Sequence, residues 1–264
     1  MWNTPLLVSL TGIAVIYTLL VQRLSKVRIY HKQPLFFFLG LGLLYFSIGS
    51  PLTTLSHLSF SLHMIQMSIL YFVIPPILII GIPSDLFQRK WRYPIVKNFR
   101  KWFLAPKIAL VVFSVLFLIY HLPIVLNIFS QNPLVHNASI FLLFMLSLGM
   151  WWPMVSPDPM HQFGIRQKKR YAILSGVLLM PACLLFIFSA LTDGINNPFF
   201  TQITAHLCLP SSITSSHLLP PLFNTKYDQA IAGLLMLGIH KMTLMGTSRI
   251  NSGSLNAQED KWVS

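Results

Sequence analysis

Two side chains one helical turn apart, His63 and Met67, stand near the start of an uncharged stretch, LHMIQMSILYFVIPPILIIGIP, at residues 62–83. At i, i+4 they stack on one face of a helix, and Gln66, three residues after His63, shares that face. Imidazole with thioether is a borderline-to-soft donor set that suits copper and suits magnesium or calcium poorly. Taken alone, Met67 reads first as a packing residue, since the chain has 11 methionines. A site therefore depends on what other elements bring to the same place.

Three further positions carry ligand-type groups: His121 in YHLP, His136 after Val135, and Asp228 with Gln229 in YDQ. Asp228 has two readings. An ionisable group inside a membrane span is costly and functional as a rule, whereas a carboxylate at the first turn of its own helix is an ordinary N-terminal cap. His206 and Cys208, two residues apart, add ligand types if their segment folds over the helices.

The elements that must position these groups follow from composition. The chain has 264 residues, 54% apolar and only 9% charged, where a soluble domain carries roughly a quarter charged residues. Uncharged runs of about 20 residues are membrane-span candidates. Seven are expected, at about 5–22, 35–55, 62–83, 106–128, 134–154, 172–192 and 227–246. This is an all-α polytopic membrane protein, with one seven-helix domain over 1–246 and a polar, mobile cytoplasmic tail at 247–264. The prolines Pro75 and Pro76 are expected to kink the third span, because they remove backbone donors in mid-helix.

Basic residues set the orientation. Arg23, Lys26, Arg28 and Lys32 fall in one connection, six Lys and Arg between Arg89 and Lys101 in another, and Arg166, Lys168, Lys169 and Arg170 in a third. The alternate connections are nearly uncharged, so the N-terminus is expected outside and the C-terminus in the cytoplasm. The net charge of +13 is thus a topology signal and gives no reason to expect nucleic acid. His63, His121, His136 and Asp228 then reach a similar depth near the outer face. His121 stands 15 residues beyond Pro106, roughly 22 Å up the membrane. His57, His206 and His217 also fall outside, His31 and His161 in cytoplasmic loops, and His240 at a cytoplasmic helix end. A glycine-rich phosphate loop, an HExxH helix and a nucleophile elbow are all missing from the sequence, so no enzyme is expected.

In order and spacing, the motifs resemble the CtaG family of Gram-positive bacteria, polytopic proteins associated with assembly of the caa-type cytochrome c oxidase. HMIQM followed by PPILIIGIP is similar to the family's HMxQH helix, its Pro-Pro and its Gly-x-Pro. YHLP is similar to its Trp-His-x-Pro, VH and GMWWPMVSPDP to its fifth span and exit, and YDQAIAGLLM to its Asp-Gln-x-x-x-Gly-x-x-Met. The resemblance implies His63, His121, His136 and Asp228 as ligand-type residues, with Gln66 and Gln229 in support. This chain departs from the pattern at Met67 and Ile140, where the family has second histidines, and at Tyr120, where it has tryptophan. Met67 is still able to ligate Cu(I); Ile140 is not.

The expected function is a non-enzymatic assembly factor in the bacterial plasma membrane. It would hold copper at the outer face through His63, Met67, His121, His136 and Asp228, with cytochrome c oxidase subunits as partners. A metal-free scaffold for the oxidase is the alternative, and a copper or small-solute transporter ranks third.

Overall fold

The computed structural model describes residues 2–25, 31–51, 59–84, 106–122, 131–157, 162–192 and 226–263, with positions 53, 56, 124, 125 and 128 between them. These residues form seven helices and no strand. They are α1 (Thr4–Leu24), α2 (Lys32–Gly49), α3 (Phe60–Ile80), α4 (Pro106–Tyr120), α5 (Pro133–Val155), α6 (Ile165–Thr192) and α7 (Lys226–Val263). Six are long and apolar enough to cross a membrane. The seventh, α4, has 15 residues, about 22 Å of helix.

Four boundaries differ from the sequence reading. The second span ends at Gly49 instead of near 55, because Pro51 disfavours helical geometry at the residue before it. Span 4 stops at Tyr120 instead of near 128, so His121 occupies the tight turn after the helix, its N–H bonded to Leu118 O. Arg166, Lys168, Lys169 and Arg170 belong to the first turns of α6 and not to a loop. The tail read as mobile continues α7 as helix through Val263.

α3 is the central element: 67% of its span is buried, against 17% of α1. α7 packs along α6 and the first half of α3, α2 against the second half of α3, and α5 along α4. Around this centre, apolar side chains such as Val8, Leu35, Ile108, Phe141, Ile173 and Leu234 are exposed, as they are in a bundle whose solvent is lipid.

The expected kink in α3 takes the form of a π-helical segment, Ile69–Val73, immediately before the prolines. Pro75 has no N–H to give Tyr71 O, and its ring crowds that carbonyl. The helix widens, and the N–H of Ile74 reaches back five residues to Ile69 O. Tyr71 O takes its donor from another helix instead: Trp151 Nε1 of α5 donates to it at 3.1 Å.

Two glycines allow close approach. A Cβ on Gly233 of α7 would stand 2.7 Å from the Cys183 carbonyl of α6, and one on Gly81 would stand 2.5 Å from the backbone nitrogen of Phe37 in α2. Small residues at such crossings let helix backbones pack directly. Beside Gly81, Tyr17 of α1 donates its hydroxyl to the Gly81 carbonyl at 2.6 Å.

Candidate functional site

The histidines read from sequence gather at one end of the bundle, where α3, α5 and α7 begin and α4 ends. His63 lies in the first turn of α3, half-buried. Its ring centre is 6.2 Å from that of His121, in a tilted edge arrangement. His121 is fully buried between Phe117 at 4.4 Å, Tyr120 at 5.0 Å and Phe186 at 5.4 Å, measured between ring centres.

The hydrogen bonding of His121 defines its chemistry. Nδ1 is 2.7 Å from Phe117 O. A carbonyl only accepts, so Nδ1 carries the proton, and Nε2 of the neutral ring keeps a free lone pair. Nε2 is buried and has no hydrogen-bond partner. A histidine held by one nitrogen keeps the lone pair of the other available to an acceptor of electron density, a proton or a metal ion.

His136, in the first turn of α5, is engaged differently: its Nε2 is 3.1 Å from the Tyr120 hydroxyl. Tyr120, in the position where the resembling family has tryptophan, thereby links the His121 turn to α5. Met67 is buried one turn inward from His63. Gln66 on the same helix donates Nε2–H to Ser47 O of α2 at 2.6 Å, and so ties α2 to α3.

Asp228 is engaged at the N-terminus of α3. It lies in the first turn of its own helix, and its carboxylate reaches across to another. Its carboxylate accepts from Ser59 Oγ at 3.0 Å, from Phe60 N at 2.8 Å and from Ser61 N at 3.3 Å, and Ser61 Oγ donates to it in a further short bond. Ser61 Oγ also donates to Asp228 O at 3.0 Å. These are the orphan donors of the α3 N-terminus, where a negative charge also meets the positive end of the helix dipole. Asp228 of α7 thus caps α3 and fixes the turn that carries His63. A Ser-x-Ser pair just ahead of an apolar run was the available signal in the sequence; nothing local named the carboxylate that answers it.

Among the described residues there is no cluster of three or more His, Cys, Asp or Glu side chains able to hold a metal. The arrangement at this end is a two-histidine pair with a thioether one turn inward and a third histidine bonded to tyrosine. His57, His161, His206, His217 and Cys208 lie outside the described residues. Ile140 is half-buried on α5 and packs against the apolar core.

Comparison with known families covers most of the chain. The family of cytochrome c oxidase caa3 assembly factors (Caa3_CtaG) matches residues 15–248. The chain belongs to this family. Membership in the caa3 assembly-factor family makes association with cytochrome c oxidase and a non-catalytic role the expectation, and it agrees with a bundle of apolar helices. Comparison with curated proteins and with solved structures finds no match.

Proposed function

We propose that this caa3 assembly factor handles copper as cargo at the extracytoplasmic face of the membrane, with His63 and His121 as the ligand pair. The observation that carries this reading is the buried, unpartnered Nε2 of His121 beside the His63 ring. Two imidazole nitrogens each ~2 Å from a shared ion put the ring centres about 6 Å apart, and the separation here is 6.2 Å. Both donors are imidazoles, and Met67 adds a thioether. That set favours Cu(I) over hard cations.

Transfer requires an incomplete site. A closed cage of four strong ligands would retain its ion, whereas two histidines and a movable thioether release it to a client with more donors. His136 serves as an entry or exit ligand once its bond to Tyr120 opens. Asp228 acts by holding the α3 turn, since its oxygens are already occupied by Ser59, Phe60 and Ser61.

The test is Cu(I) binding by the detergent-purified chain, with copper content of the oxidase measured in cells. His121→Ala should lose outer-site binding and leave the oxidase short of copper. Unchanged binding and a fully metallated oxidase in a His63→Ala, His121→Ala double variant would sink the copper reading. The second reading is a metal-free scaffold that holds an oxidase subunit. Under it, that double variant still co-purifies with oxidase subunits and supports their assembly.

A further inference from the structure

A second histidine is buried in the opposite half of the bundle. The sequence places His240 at a cytoplasmic helix end; the structure puts it in mid-α7, 2% exposed, 12 residues beyond Asp228, or about 18 Å along the helix. Its ring centre lies 4.8 Å from Phe72 of the π-helical segment and 6.2 Å from Trp151 of α5. Its Nε2 is buried with no hydrogen-bond partner. A buried imidazole nitrogen without a hydrogen bond loses its hydration without compensation, so such a group calls for a ligand or another specific reason.

The surroundings are soft. Met236 is 1% exposed and precedes His240 by four residues, on the same face of α7. This repeats, in reverse order, the His63 and Met67 spacing of α3. Met154 is 2% exposed and follows Trp151 by three residues on α5. Trp151 is held in place by its Nε1 bond to Tyr71 O. That bond fixes the indole ring in an edge arrangement beside the imidazole and is itself a consequence of Pro75.

We propose that His240 and Met236 form a second Cu(I) site in this half of the bundle, with the Trp151 ring as its aromatic cap. An unpartnered imidazole nitrogen, a buried thioether on the same helix face and a neighbouring aromatic ring together suit a soft monovalent cation. A divalent ion is disfavoured, because its desolvation rises with the square of the charge and no carboxylate of the described residues is at this level. Unbranched Met236 is able to swing its sulfur toward an ion without moving the backbone. Phe117 and Phe72, with ring centres 6.2 Å apart, separate this site from His121, so the two sites load independently.

Cu(I) titration of the full-length, detergent-purified chain against a chromophoric Cu(I) competitor, under anaerobic reducing conditions, tests this. Wild type, His240→Phe, Met236→Leu, and the His63→Ala, His121→Ala double variant are compared, with circular dichroism and size exclusion as checks on folding. The double variant should retain one equivalent, and that ion should quench tryptophan fluorescence through Trp151, a quench that Trp151→Phe abolishes. His240→Phe should lose that equivalent, and Met236→Leu should weaken it at least tenfold. Met236→Leu keeps the core volume, so it decides the matter if His240→Phe does not fold. Wild-type stoichiometry in His240→Phe, or no Cu(I) at all in the double variant, overturns the proposal. Failure of the outer site has a different signature: the double variant then binds as much Cu(I) as wild type.

Discussion

The carboxylate of Asp228, third residue of α7, accepts hydrogen bonds from Ser59 Oγ at 3.0 Å to each of its oxygens and so closes the N-terminus of a helix 167 or more residues earlier in the chain. One acidic side chain thereby fixes the first turn of α3, where His63 stands. The pair is 1% exposed at both residues, so removing either partner strands buried polar groups.

Asp228→Ala should therefore destabilise the bundle by about 3 kcal/mol, as loss of one partner of a buried, charge-assisted network does. Asp228→Asn, which retains an acceptor oxygen, should be milder. Thermal unfolding in detergent measures both. A carboxylate acting as a ligand predicts instead a loss of Cu(I) affinity with stability unchanged.

Trp151→Phe removes the side-chain donor to Tyr71 O, and should lower stability by about 1–3 kcal/mol. Pro75→Ala restores an N–H able to bond that carbonyl within α3. In the Pro75→Ala background, then, Trp151→Phe should do less damage. A double-mutant cycle of unfolding free energies gives the coupling directly, and additivity would refute the link between the proline and the tryptophan.

Glycines of one helix should respond oppositely to the same change. Gly233→Ala drives a Cβ to 2.7 Å from Cys183 O, while the corresponding space at Gly238 is open. The first should destabilise the α6–α7 contact by about 1–3 kcal/mol. The second should be neutral or stabilise by up to about 1 kcal/mol through helix propensity. Paired melting curves decide this.

Orientation is testable with cysteines at two exposed positions. In a background without Cys183 and Cys208, Asn132→Cys at the N-cap of α5 and Gly164→Cys before α6 lie at opposite ends of the bundle. Charge placement predicts that a membrane-impermeant maleimide labels the first in intact cells and the second only after lysis. The reverse pattern would invert the bundle and move His63 and His121 to the cytoplasmic side.

The all-α class and the gathering of His63, His121 and His136 at one end were legible in the sequence, while of the seven spans expected, six helices among the described residues are long and apolar enough to cross a membrane. Each rests on local information: hydropathy sets which runs are helices, and residue count along a helix sets depth. Proline at 75 announced an irregularity in α3 for the same reason, since a missing N–H is a property of one residue. What lay beyond reach was pairing between helices. Whether Asp228 faces copper, its own helix or another helix depends on how α7 packs against α3, and no local pattern encodes that. The burial of His240 between Phe72 and Trp151, and the tautomer that leaves Nε2 of His121 free, were decided in the same way. Hydropathy says only that a segment is buried or lies in lipid. Which polar groups meet inside is settled by close contacts between helices distant in sequence, where small differences in packing and in hydrogen-bond geometry select one partner among several.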